Sequence, residues 1–380
     1  MNGHATGERV RMEEHMRQLS EGTPREVGVC PEGLAAAGSQ LQRAVDGGVI
    51  GAASLTVARR GTLIFSEGYG QMRPEEGAPD TQPDSVFLLA SITKPVTAWA
   101  LMMLVDSGEV SLDDPVDCYL PEFRGGARDR VKVRHLLSHT SGMPDMLPNN
   151  TELRRAHEPL EEFVRCALQT PLLFQPNSDF RYQSKGTLLA AEIVQRVSGQ
   201  ALRAFEKERI FDPLGMRDSS LGLGGRSIDE LVWCGLDSFA EEDEDMRSWG
   251  WNTPYWRDLG APWGGMHSSG RDLAILLQTA LNGGVYGQER VLSSAASAAM
   301  VRDHNTHLSA PWGLGWALAD SIVWNRCGEL ASTSTFGHTG ATGTVAWADP
   351  QRELICVVLT NKMDDSLLRR VSNAVVAAVE

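Results

Sequence analysis

Apolar residues recur at helical spacing from Leu34 to Val45, which predicts an amphipathic helix. Two apolar runs follow, Ala52–Ala58 and Thr62–Tyr69, on either side of Arg59-Arg60-Gly61, and read as a β-hairpin. The C-terminal end mirrors this pattern. Gly343–Ala348 leads to the turn Asp349-Pro350-Gln351-Arg352, then to Leu354–Thr360, and helical periodicity covers Ser366–Val379. The middle carries helix candidates instead, at Ile92–Ser107, Glu161–Gln169, Gly186–Val197 and Arg271–Leu281.

Strands near both ends around a helix-rich middle predict an α/β (α+β) fold. One antiparallel sheet, built from both chain termini and flanked by helices, is interrupted by a mostly helical second subdomain. Residues 1–29 are polar and are expected to form a frayed or helical N-terminal extension. Residues 30–380 form the folded domain, with its sheet-bearing part at about 30–90 and 285–380 and its helical part at about 91–284. Within the helical part, Arg226–Leu259 reads as a long loop whose acidic run, Glu241-Glu242-Asp243-Glu244-Asp245, is a solvated surface.

Composition narrows the possible functions. The chain has 380 residues, 42% of them hydrophobic, enough for a large core. A formal net charge of −14 disfavours nucleic acid and anionic membranes as partners. No stretch of apolar residues is long enough to span a bilayer, and the polar start of the chain lacks a signal-peptide pattern. The 6 cysteines are far apart and form no C-x-x-C, which disfavours zinc knuckles and thioredoxin-like redox sites. These features predict a soluble cytoplasmic protein with reduced thiols.

Candidate chemistry begins at Ser91-Ile92-Thr93-Lys94. Pro95 is tolerated only in the first turn of a helix, so the apolar helix that follows must start near Ser91. Lys94 then falls one turn on, on the same face as Ser91. A serine hydroxyl is a weak nucleophile, and an adjacent amine can take its proton or stabilise the alkoxide. The spacing alone is weak, because a capping serine and an exposed lysine would look the same. Lysine is scarce in this chain, however, with only Lys94, Lys132, Lys185, Lys207 and Lys362 present. Arginine could not exchange a proton with serine at that position.

Two further segments add weight. Phe180-Arg181-Tyr182-Gln183-Ser184 places Tyr182 at a loop-to-helix junction, where a phenol can face a cleft, although a core tyrosine would fit the same pattern. Phe336-Gly337-His338-Thr339-Gly340-Ala341-Thr342-Gly343 opens the C-terminal hairpin with glycines that permit close backbone approach. The aromatics Trp249, Trp251, Tyr255, Trp256 and Trp263 either line an apolar acyl pocket or pack a loop onto the body. His135 and His139 have i,i+4 spacing but no H-E-x-x-H, so no metal site is expected, and no G-x-S-x-G is present.

In this order the three segments resemble the serine β-lactamase and penicillin-binding-protein superfamily, in its class C β-lactamase-like branch. The similarity extends to Ser107–Val116, Val133–Pro144, Asp212–Met216, Gly264–Ser269 and Trp312–Trp316. The resemblance implies Ser91 as nucleophile, with Lys94 and Tyr182 as its proton-transfer partners and the choice of general base left open. It implies an oxyanion hole from the N–H groups of Ser91 and Ala341. It implies Ser184, His338, Thr339 and Gly340 as substrate-binding residues, and no cofactor. Two departures stand out. Ser184 occupies the place of the family's asparagine and reaches less far, and His338 replaces the lysine that would help hold a β-lactam carboxylate.

The expectation is therefore a serine hydrolase that forms an acyl-enzyme on Ser91 and cleaves small esters or amides. A β-lactamase, a D-Ala-D-Ala carboxypeptidase and an acyltransferase are the alternatives within the superfamily. The contrasting class is a non-catalytic binding protein of the same fold, which Ser184 and His338 favour and the Ser-Lys-Tyr set opposes. The partner in any catalytic case is a small ester, amide or lactam, and the oligomeric state is left open.

Overall fold

The computed structural model describes residues 17–235, 246–321, 323–324 and 326–380. Its centre is a seven-stranded sheet. In chain order the strands are β1 (Ser20–Glu21), β2 (Ala52–Arg59), β3 (Thr62–Gly70), β4 (Ala317–Leu318), β5 (Phe336–Gly340), β6 (Thr344–Asp349) and β7 (Leu354–Thr360). Their order across the sheet is β1-β3-β2-β7-β6-β5-β4, so strands from the two ends of the sequence meet at β2–β7.

All eight residues of β2 and all seven of β7 are buried. Continuous burial of this kind requires cover on both faces of the sheet. In β7, Leu354, Cys356 and Val358 point into one core, while Ile355, Val357 and Leu359 point into the other. The first core is closed by α1 (Pro31–Asp46) and α5 (Asp365–Ala377), which pack on each other. The second face receives α4 (Gly270–Leu281), which lies over β2, β6 and β7. Gly270 opens that helix directly over β2, where a side chain would collide with Thr56.

The helical subdomain surrounds α2 (Thr93–Asp106), which is buried over most of its circumference. A helix that is apolar all round belongs at the centre of a helical layer. Against it pack α3 (Lys185–Ser198) and shorter helices. A three-strand ribbon, with Met266–Ser268 between Phe87–Leu88 and Ser220–Leu221, runs up to the start of α2.

Three sequence expectations change. The sheet is antiparallel except at its edge, where β1 pairs in parallel with β3. Part of the expected N-terminal extension belongs to the body: β1 joins the sheet, and Val27 and Val29 are buried in the core under α1 and α5. Those two valines are too isolated to raise a periodic signal. The expected loop 226–259 contains helices at Met246–Trp249 and Pro254–Leu259. Thr253 caps the second of these and accepts the Trp256 N–H, with Pro254 at its first position, a start signal that the surrounding polarity obscures. The acidic run 241–245 lies outside the described residues.

Candidate active site

Ser91 lies in a single 3-10 turn, Ala90–Ile92, that leads directly into α2. The residue before it, Ala90, has φ 48°, a left-handed conformation that costs a non-glycine residue roughly 1–2 kcal/mol. Surrounding bonds hold this turn. Thr93 Oγ1 donates to the Ala90 carbonyl at 2.7 Å and accepts the Met266 N–H at 3.0 Å, while the Leu89 N–H donates to the Met266 carbonyl at 2.9 Å. Strain next to a reactive side chain is a common property of catalytic turns.

One helical turn on, Lys94 Nζ is 2.8 Å from Ser91 Oγ and donates to the Trp263 carbonyl at 3.0 Å. Its side chain is buried. Burial disfavours the ammonium and pulls Lys94 down to about 7, against the opposing influence of the Asp145 charge. The amine is thus poised to exchange a proton with the serine near neutral pH.

Tyr182 approaches from the loop before α3. Its neighbours are pinned to His139: the Arg181 N–H donates to the His139 carbonyl at 3.0 Å, and the Gln183 N–H to His139 Nδ1 at 3.3 Å. The Tyr182 ring lies 4.6 Å from the His139 ring and 5.9 Å from Trp312. Lys94 Nζ sits 4.8 Å from the centroid of the Tyr182 ring. Burial pushes this phenol well above its ordinary value, partly offset by the Ser91 contact, so it stays protonated.

The third wall is β5. Threonines of the β5–β6 hairpin tie it to the strand before Ser91: Thr342 Oγ1 donates to the Leu88 carbonyl at 2.7 Å and Thr344 Oγ1 to the Leu89 carbonyl at 2.9 Å. Gly340 is where the two backbones come closest, because a side chain there would overlap the Leu89 carbonyl. Ala341 follows in the exposed turn.

His338 is buried, with its ring 6.0 Å from that of Tyr182 and 5.7 Å from that of Trp312. Its Nδ1–H donates to the Thr339 carbonyl at 2.7 Å, which fixes the tautomer and leaves Nε2 as a lone-pair acceptor. Burial, with Lys94 nearby, lowers His338 to about 3, so the imidazole is neutral. Thr339 lies beside Arg326, whose Nη1 is 3.5 Å from its hydroxyl while the guanidinium pairs with Asp365.

The structure thus brings Ser91, Lys94, Tyr182, His338 and Gly340 to one place. Ser184 is 2% exposed and its hydroxyl donates to Asp145 at 2.6 Å. Among the aromatics of the middle segment, Trp263 reaches Lys94 through its carbonyl. Trp249 and Trp256 instead flank the Arg154 guanidinium, and Tyr255 stacks on His157 at 4.5 Å. His135 accepts the Lys132 N–H, and the helix ends before His139, so the two imidazoles are not presented on one helical face. Among the described residues no group of three potential metal ligands is present. Sequence reading missed Asp145, whose charge bears on Lys94 and on Lys185, and Lys185 itself, which senses the Lys94 charge. Neither lies in a motif, and a lysine at a helix start reads as solvated.

A left-handed residue before the serine, a buried lysine behind it and a tyrosine and a strand around it define an enzyme of the serine-hydrolase class. The chain matches the Beta-lactamase family over residues 36–379 and belongs to it. It is 28% identical to a protein of Escherichia coli (strain K12) named "Putative D-alanyl-D-alanine carboxypeptidase", covering 90% of this chain and 86% of that protein. A penicillin-binding protein homologue from Caulobacter crescentus superposes with a TM-score of 0.75 at 25% identity, covering 92% and 98% of the two chains. A family VIII carboxylesterase shares the fold, with a TM-score of 0.75 at 20% identity over 92% and 99%. No helix among the described residues is long and apolar enough to cross a membrane.

Proposed function

We propose that this enzyme hydrolyses small esters or amides through an acyl-enzyme on Ser91. The observation that carries the reading is the 2.8 Å contact between Ser91 Oγ and the buried Lys94 amine. In this reading Lys94 takes the serine proton as Oγ attacks the acyl carbon. The N–H groups of Ser91 and Ala341 receive the oxyanion. Tyr182, held protonated by burial, donates its proton to the leaving oxygen or nitrogen, and water then releases the acyl group by the reverse sequence of transfers.

His338 favours neutral substrates. Its Nε2 presents a lone pair where an ammonium would attract a carboxylate, and it carries no charge near pH 7. This argues for an esterase-like preference over a β-lactam or a peptide with a free carboxylate. A cytoplasmic site of action is part of the reading, supported by all six cysteines being unpaired.

A fluorophosphonate probe tests the proposal. Stoichiometric labelling that disappears in Ser91→Ala is expected, together with hydrolysis of short p-nitrophenyl esters. No labelling, or labelling indifferent to that substitution, would sink it. Rapid turnover of a chromogenic cephalosporin would instead overturn the preference for neutral esters.

A further inference from the structure

A second lysine lies buried behind the site. Lys185 opens α3, three residues after Tyr182, and is completely buried. Its Nζ has no hydrogen-bond partner among the described residues and sits 3.5 Å from the centroid of the Trp263 ring and 5.7 Å from that of Phe163. An ammonium over an indole face is a favourable cation–π arrangement, the more so when water is excluded. Trp263 therefore touches both lysines, Lys185 on its ring and Lys94 on its carbonyl oxygen. The adjacent Ser184 donates to Asp145, whose carboxylate acts on both lysines.

The charges around this pair can be counted. Facing Lys94 are Ser91, Tyr182, the Trp263 carbonyl and the Asp145 charge. His139 and His338, which sense Lys94, are held neutral by burial. Facing Lys185 are Asp145, Lys94 and the Arg154 guanidinium, which rests on Trp249 and Trp256. Arg326 bears on Tyr182 and His338 and is paired with Asp365. One carboxylate thus serves two buried amines, and a coupled pair of this kind holds its protons jointly.

We propose that Lys185 is a positioning residue. Seated on the Trp263 ring, it carries the one positive charge that Asp145 supports, and so leaves Lys94 as the free amine facing Ser91. The inference rests on the acyl-enzyme reading above. Burial draws both amines down, which disfavours two ammonium ions side by side here.

The test is the rate of fluorophosphonate labelling from pH 5 to pH 10 in the parent and in Lys185→Met, which keeps the length of the chain without its charge. With Lys185 gone, Asp145 stabilises an ammonium on Lys94 alone. The acid limb is then expected to move up by at least about one pH unit, a tenfold loss near pH 6.5 that recovers to within about threefold of the parent at pH 10. KM for a neutral p-nitrophenyl ester should stay within about twofold. A loss of equal size at every pH, with the limb unmoved, would overturn the proposal and leave Lys185 as packing only. Asp145→Asn provides an independent arm if Lys185→Met does not fold. Its limb should move to lower pH, and an unmoved or raised limb counts against the proposal. A parent that is unlabelled at all pH values defeats the acyl-enzyme reading itself, whereas a labelled parent with unmoved limbs defeats only the role of Lys185.

Discussion

Gly340→Ala tests how closely the strand β5 must approach the serine turn. The backbone at Gly340 is not left-handed, so alanine brings no conformational penalty and the effect is steric alone. A Cβ there would lie about 1 Å inside the 3.0 Å limit of approach to the Leu89 carbonyl oxygen, two residues before Ser91. That oxygen belongs to a backbone already held by Thr344 and Met266, so it cannot swing aside as a flexible side chain would. The hairpin must move instead, and with it the Ala341 N–H that the proposed oxyanion hole needs. A misplacement of about 1 Å at a catalytic centre can cost on the order of a hundredfold in rate, or about 2.7 kcal/mol in transition-state stabilisation. The same strain costs about 1–3 kcal/mol of stability. The assay is kcat/KM for a p-nitrophenyl ester beside a thermal melt. Gly264→Ala is the control, because its Cβ would meet Ala90 from another side at an ordinary 3.8 Å. The expected outcome is a loss of about a hundredfold for Gly340→Ala and a change within about twofold for Gly264→Ala. A Gly340→Ala enzyme within threefold of the parent, with an unshifted melt, would refute the reasoning.

Further expectations follow from the same geometry. The kcat/KM of the parent should rise with pH through a limb near 7 as Lys94 loses its proton, and a flat profile from pH 5 to 9 would remove Lys94 as the base. Tyr182→Phe should slow alkyl esters by about 10²–10⁴-fold and p-nitrophenyl esters far less, because p-nitrophenolate leaves without a proton; equal losses for both would contradict its role as the acid. Glu206 is buried beneath α2, 3.4 Å from Thr97 Oγ1, and burial pushes its carboxyl up to about 8. Its folded value is above the unfolded one, so the stability gained from holding that proton is full below about 4.5 and is lost as pH rises through 8. Glu206→Gln should therefore melt close to the parent at pH 5 and progressively higher than it toward pH 9, and a gap that stays constant with pH would show the carboxyl to be ionised in the fold.

Much of this architecture was legible because it depends on periodicity. Leu354–Thr360 is legible to the residue, since a run buried on both faces is continuously apolar. The helix Thr93–Asp106 is legible to within a residue at each end, because Pro95 restricts where it can start and Gly108 follows its stop. The serine, lysine and tyrosine were legible through their segments. The features without a local mark depend on contacts between distant parts of the chain. Ser20-Glu21 is too short to show a period, and its parallel pairing with β3 has no local mark. Asp145 and Lys185 look like surface charges until folding places them behind Ser184 and Trp263. The fate of the five middle aromatics was equally a matter of tertiary placement, since only the backbone of Trp263 touches Lys94.

The pairing of β2 with β7 also bears on how the molecule comes into being. Thr56 lies opposite Val357, about 300 positions later in the chain. Closing so large a loop is slow, and on the ribosome it cannot begin until the last strands have emerged. The β2–β3 hairpin must wait that long with its central edge unpaired, a state prone to wrong partners. The strand that completes the surroundings of Ser91 arrives in the same late segment. Nascent chains released before β5–β7 are made would expose both the hairpin edge and the serine turn, and would have no catalytic competence.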